Sequence, residues 1–210
     1  MPENNLIAGP YKPEAYRKQY GCGYNAAMAM RETYRRKLYG RALDQYGYVT
    51  TQDADDLGVP AVELRKLHQR GGLEHVGQGL YRFEDIPTTA KDEFMEAVLR
   101  VGEDAILAGD AVLALHDLGL AHPRRIRVAT PRRVRRRLPP SIKVEQREVP
   151  RAKQTTYEGI PAMTVAEAIR DCRGLLMPER LAEAAIEAAQ AGLIRKAEAN
   201  RLVGELAETT

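Results

Sequence analysis

The sequence predicts an α+β chain built from two units, and three observations carry that expectation. Between residues 50 and 83 the pattern runs short helix, tight turn, second helix and paired strands. Apolar and polar residues then alternate at 126–130 and 142–149, the period of half-buried strands. Helical periodicity returns after residue 164 and holds to the end. The first pattern is the order of a winged helix-turn-helix, so the expected architecture is an N-terminal winged helix followed by a mixed α/β domain ending in helices. The expected division is an arm at 1–30, the winged unit at 31–87 and the second domain at 88–210.

The arm is unusual in composition. Seven of the ten tyrosines precede residue 47, and Tyr16, Tyr20 and Tyr24 are spaced by four, which a helix would align. Gly21 and Gly23 weaken such a helix. The arm is expected either to pack on its own domain or on a second subunit, or to stay a tail, so self-association remains open.

Residues 31–46 read as a helix, with Tyr34, Leu38, Ala42 and Tyr46 forming an apolar stripe and Gly47 as a stop. Thr50 or Thr51 can cap a short helix over 52–57, whose first turn carries Asp53 and Asp55. Gly58 breaks it. Pro60 suits the start of a second helix running to about Arg70, ended by Gly71 and Gly72. Leu73, Val76, Leu80, Tyr81 and Phe83 supply two strands around Gly77-Gln78-Gly79.

In the second unit, a helix is expected over 90–101, and residues 105–118 are expected to hold another, with Asp110 near its start and Gly119 at its close. IRVAT at 126–130 is a strand, RRVRRRL after Pro131 a short basic turn or helix, and IKVEQREV at 142–149 a second strand. One or two more strands are expected at 153–160. Thr164 caps a helix reaching Cys172, with Glu167 where a capping box places it. Pro178 starts another, and the last spans about 195–207.

Charge is distributed unevenly. The chain carries +3 overall, yet residues 50–122 carry −8 and residues 123–153 carry +10. Such a basic block favours a polyanion. The winged unit adds a second footprint. Its second helix would enter the major groove, with Leu64 and Leu67 in the core and Glu63, Arg65, Lys66, Gln69 and Arg70 available outside. Gln78 and Arg82 belong to the wing, which would track the minor groove or the backbone. In the basic block, Arg124, Arg125, Arg132, Arg133, Arg135, Arg136 and Arg137 are expected to meet either DNA phosphates or an acidic partner.

Signals for an enzyme are poor. There is no phosphate-binding glycine loop, no dinucleotide fingerprint and no metal-binding histidine spacing among His68, His75, His116 and His122. No catalytic residue, metal or cofactor is expected. His116-Asp117 has no partnered nucleophile in the sequence to make it a general base. Two cysteines make a disulfide scaffold improbable and fit a reducing cytoplasm. The polar start at Met1–Pro10 has no apolar core of a signal peptide, and no 18-residue apolar run exists, so no membrane contact is expected.

Four pieces in order carry a family resemblance: VTTQDADDLGVPAVELRKLHQRGGLEHVGQGLYRF, ILAGDAVLALHDLGL, IRVATPRRVRR and YEGIPAMTVAEAIRDC. Together they resemble AbiEi-type antitoxins of bacterial type IV toxin–antitoxin systems over residues 40–175. The resemblance implies a two-domain autoregulator. Its N-terminal domain would bind inverted repeats in double-stranded promoter DNA and repress its operon. Its C-terminal domain would counter a cognate nucleotidyltransferase-type toxin. Residues 60–70 would then read DNA, 73–83 would form the wing, and positions beyond about 90, the basic block among them, would control the toxin. Two other functions stay open: a plain winged-helix regulator whose second domain dimerises, and a nucleic-acid-processing enzyme or RNA-binding accessory.

Overall fold

A computed structural model describes residues 33–207, so the arm at 1–30 lies outside the described residues. The chain opens with helix α1 (Tyr34–Leu43), capped by the Thr33 hydroxyl, which accepts from the Arg36 amide. The helix ends earlier than Tyr46 because the chain turns there through positive φ at Tyr46 (56°) and Gly47 (90°). Strand β1 (Tyr48–Thr50), helix α2 (Thr51–Asp56), helix α3 (Ala61–Gln69) and strands β2 (Glu74–Gly77) and β3 (Leu80–Arg82) follow. The three strands form one antiparallel sheet in the order β1-β3-β2. This is a winged-helix unit. Leu38, Ala42, Val49, Ala54, Val59, Leu64, Leu73, Tyr81, Phe83 and Ile86 bury a small core beneath it. Strand β1 is an addition to the sequence reading. Three residues are too few to show a period, and β1 exists only through its partner, with Tyr48 opposite Arg82 and Thr50 opposite Leu80.

A mixed α/β region follows, with helices at its end. It comprises α4 (Asp92–Val101), β4 (Ile106–Leu107), α5 (Asp110–Leu115), β5 (Ile126–Thr130), β6 (Ile142–Gln146), β7 (Gln154–Tyr157), β8 (Ile160–Met163), α6 (Val165–Asp171), α7 (Pro178–Gln190) and α8 (Lys196–Ala207). The five strands run in the order β6-β5-β4-β8-β7. The helix expected within 105–118 starts at Asp110 and is short, ending at Leu115. Ile106 and Leu107 are a central strand between β5 and β8, and only Asp110–Leu115 is helical. A short apolar run is ambiguous between a buried strand and a buried helix, and here sheet pairing decides. The expected strands at 153–160 form a hairpin, β7–β8. Its turn, Glu158-Gly159, has φ of 48° and 89°, the paired positive values of a type I′ turn.

One feature of this sheet positions the candidate site. Strands β5 and β6 are parallel, in register from Ile126 opposite Ile142 to Thr130 opposite Gln146. Parallel neighbours require the chain to cross back between them, usually through a helix. Here residues 131–141 make the crossover through bends and a closing turn, so of the basic turn or helix expected there the helix does not form. Val134 and Leu138 pack against the large core. The arginines between and beside them are exposed.

The two units meet along a seam. Tyr46, Tyr48 and Leu80 of the winged unit are buried in the cluster that also holds α4 and the second sheet. Tyr48 donates from its hydroxyl to Glu96 (2.9 Å), and Tyr46 donates to the Glu158 carbonyl (3.1 Å).

Candidate nucleic-acid interface

Helix α2 starts on a local device. The Thr50 hydroxyl accepts from the Asp53 amide, and the Asp53 carboxylate accepts from the Thr50 amide, a reciprocal capping box. Gly58, at φ 64°, turns the chain into α3. Leu64 is fully buried and Leu67 half-buried, which fixes the inner side of α3. Arg65, Lys66, Gln69 and Arg70 are exposed on its outer side, as the helical period places them. Glu63 is half-buried, and its carboxylate accepts from the Lys66 ammonium at 2.7 Å. That pair holds Lys66 along the helix and offsets one positive charge.

The wing is tied to α2. The Thr51 amide donates to the Gly79 carbonyl (2.9 Å). Gly79 sits at φ 70°, and a Cβ there would lie 2.9 Å from the Thr51 hydroxyl, so the wing tip requires glycine. Gln78 is exposed beside it. From the other side, Arg100 on α4 donates to the Val76 carbonyl (2.6 Å) and to Glu96 (2.6 Å). A side chain at Gly77 would collide with that guanidinium. Arg100 and Gln52 carry no signal in the sequence, because their placement depends on which strand and helix end they meet.

Arg82 is corrected. It was expected on the wing surface, yet it is buried at 8% exposure. Its guanidinium donates to the Ile86 carbonyl (2.7 Å) and to Asp92 (3.3 Å) and lies over the Tyr48 ring at 5.8 Å. Strand alternation turns this side chain inward, where it joins the wing to α4 and is not presented to a groove. Burial and the Glu96 carboxylate together push the Tyr48 phenol above its ordinary range.

The basic block divides into separate groups. Arg132, Arg133, Arg135 and Arg136 line a cleft of about 630 Å3 that is also lined by Thr51, Gln52, Gln78 and Gly79. The crossover therefore stands beside the amino end of α2 and the tip of the wing. Arg132 pairs with Asp104 at 2.6 Å on the surface. Arg133, Arg135, Arg136 and Arg137 have no carboxylate partner among the described residues. Arg124 lines a different cavity, of about 470 Å3, with Lys91, His122 and Asp117, and Arg125 is exposed next to it. These two do not join the cleft.

Arg127 belongs to the block but faces inward from β5. Its guanidinium meets Glu145 (2.9 Å), Asp171 (3.2 Å) and Asp110 (3.7 Å), and Arg147 adds a 2.6 Å contact to Asp171. A Cβ at Gly109, whose φ is 52°, would collide with the same guanidinium. Burial raises the Glu145 carboxyl, but its hydrogen bonds and charge pairing with Arg127 outweigh this and hold it below the ordinary value. Asp110 moves the other way. Burial outweighs Arg127, which stands too far off to hydrogen-bond, and the Asp110 carboxyl is raised. Burial also pushes the Cys172 thiol up to about 12, with Asp110 nearby adding to the effect. Among the described residues no three His, Cys, Asp or Glu side chains are placed to hold a metal ion. The His116 ring packs edge-on against Tyr157 at 4.4 Å, and burial lowers its pKa. No helix among the described residues is long and apolar enough to cross a membrane.

No curated protein matches the chain. Residues 40–83, which hold the last turn of α1 together with the helix-turn-helix and the wing, match the model of a family described as transcriptional regulator, AbiEi antitoxin.

Proposed function

We propose that this chain is a DNA-binding regulator that reads double-stranded promoter DNA with α3, represses its own operon, and neutralises a cognate nucleotidyltransferase-type toxin through residues beyond about 90. The observation that carries the DNA reading is α3 itself. Leu64 anchors it, the turn at Gly58 sets its angle, and Arg65, Lys66, Gln69 and Arg70 stand exposed along its outer side. That combination fits a helix laid in the major groove, where arginine can pair with guanine and glutamine with adenine. The family match over 40–83 supports the antitoxin and repressor roles. Inverted repeats in the promoter would seat two copies, one on each half-site.

The test combines two assays on the full chain. Titrating it against its own promoter duplex should give specific binding. Arg65→Ala and Lys66→Ala should each weaken that binding by about 1–3 kcal/mol if the side chain reads a base, relaxing preference at one position. Co-expression with the product of the neighbouring gene should rescue growth. Unchanged promoter affinity in the double variant would remove α3 from the reading role, and failed rescue would remove the antitoxin role.

A further inference from the structure

We infer that Val62, in the first turn of α3, reads the C5 methyl group of a thymine in each half-site of the promoter. The inference rests on the DNA-binding reading of α3 and adds a contact of different chemistry, apolar where the others are charged or polar.

The apolar pattern of α3 comes first. Leu64 is buried and Leu67 half-buried, so the core claims one side of the helix. Val62 stands on the other side. It is 45% exposed and belongs to neither hydrophobic core. Positions 62, 65, 66 and 69 are spaced i, i+3, i+4 and i+7, so Val62 shares one stripe with Arg65, Lys66 and Gln69. An exposed helical position favours alanine over a β-branched residue, so folding alone does not account for a valine here.

The turn that carries Val62 is held in place. Val59 is buried, its amide donates to the Ala54 carbonyl at 2.7 Å, and the ring of Pro60 fixes its backbone at φ −57°. Valine in a helix keeps one dominant rotamer. Val62 is therefore positioned before any contact forms, and little side-chain freedom is lost in making one.

Chemistry then selects the group it meets. Pro60, Ala61 and Val62 are exposed in succession, and residues 60–63 include no Lys or Arg, so this turn does not suit a phosphate. In the major groove the apolar group that the bases present is the thymine C5 methyl. A recognition helix offers its N-terminal residues to base edges, and Val62 is among them. Side chains three residues apart on a helix have Cβ atoms about 5–6 Å apart, and base pairs stack about 3.4 Å apart. The thymine would thus lie within one or two base pairs of a guanine paired by Arg65. A lone valine with two cations next on its stripe offers a protein partner no apolar patch.

The test removes one methyl group at a time. The full chain is titrated against its promoter duplex, against duplexes in which single thymines of the footprint are replaced by deoxyuridine, and against a scrambled duplex of equal length. Uracil pairs as thymine does and lacks only the methyl. Replacing the contacted thymine should weaken binding about fourfold, the effect of one buried methyl group. Val62→Ala should weaken promoter binding by at least that factor and leave the scrambled duplex unchanged. It should also lose sensitivity to uracil at that position, the coupling expected of groups in contact. It should melt no lower than the parent, because alanine suits an exposed helical site better. If no uracil substitution weakens binding by the parent, the inference is overturned, and that outcome needs no variant. If every sensitive thymine stays equally sensitive in Val62→Ala, it is overturned as well. If Val62→Ala binds the promoter like the parent but fails to rescue growth, the side chain meets the toxin and the inference falls. Arg65→Ala/Lys66→Ala separates this contact from the wider reading of α3. Lost promoter preference in that double variant, with no uracil effect in the parent, keeps the reading helix and removes only the valine contact. Parental promoter affinity in the double variant, with no uracil effect, removes both.

Discussion

Arg127 and the arginines at 133–137 are separated by fewer than a dozen residues, and their surroundings are opposite. Arg127 points from β5 into three carboxylates, with its side chain 11% exposed and three of its nitrogens engaged or approached. The crossover arginines point outward and meet no carboxylate among the described residues. A guanidinium cannot shed its charge, so each arginine must find either water, a carboxylate or an outside anion. The strand arginine has found an internal partner and holds the fold together at that point. The loop arginines have not, and their charged heads stand in solvent. Arg82 shows the same rule within the wing, where Asp92 converts an expected DNA contact into a structural tie.

The largest effect expected from this contrast is at Arg127. Arg127→Met removes the central cation and leaves Asp110, Glu145 and Asp171 facing one another in a largely buried space. Breaking a buried ion pair in this way costs about 3–5 kcal/mol. Urea unfolding should show a lower midpoint with an unchanged m-value. A loss under about 1 kcal/mol would mean that the cluster is more solvated than its geometry implies.

Acid titration sharpens the contrast. The Glu145 carboxyl lies lower in the fold than its ordinary value of 4.5, chiefly because its hydrogen bonds and charge pairing with Arg127 outweigh the effect of burial. The unfolded chain therefore takes up this proton first as pH falls. The stabilisation from Glu145 is complete above its unfolded value and is lost as pH drops through its depressed folded value. Asp110, raised by burial, works in the opposite sense, because its unfavourable charge disappears on protonation. Glu145→Gln should lower stability at neutral pH and reduce the fall in stability between about pH 6 and pH 3, followed by unfolding midpoints. An acid limb identical to that of the parent would remove Glu145 from this role.

The smallest effect belongs to the crossover. Replacing Arg133, Arg135, Arg136 and Arg137 by Gln should change stability by no more than about 0.5 kcal/mol, because exposed and unpaired side chains hold little of the fold. Thermal melting measures it directly. A loss above about 1 kcal/mol would show that these arginines make structural contacts and would erase the distinction from Arg127.

What the sequence revealed depended on how local each signal was. A threonine cap at the start of α2, the Thr164 hydroxyl accepting from the Glu167 amide, and the start of α7 at Pro178 all act within one helical turn and were legible, although the choice of Thr50 over Thr51 and its reciprocal bond with Asp53 were not. The outer side of α3 was legible too, because Leu64 and Leu67 fix its inner side by period alone. Strand β1 and strand β4 were not legible. Each is defined by partners more than twenty residues away in sequence, Tyr81 for Val49 and Ala129 for Ile106. The split of the basic block into buried Arg127, the remote Arg124 and the arginines of the cleft follows from which strands pair in parallel, and charge counting does not contain that information.

The seam between the two units has a practical consequence. Tyr46, Tyr48 and Leu80 complete the core of the second domain, and Arg82 needs Asp92 across the same boundary. A truncated fragment ending at residue 87 would expose these apolar surfaces to water and strand a buried cation without its carboxylate. The wing is therefore held against α4 by Arg82 and Arg100 and does not stand alone. The shape of the wing is thus set by contacts with the region that follows it, and folding of one completes the other.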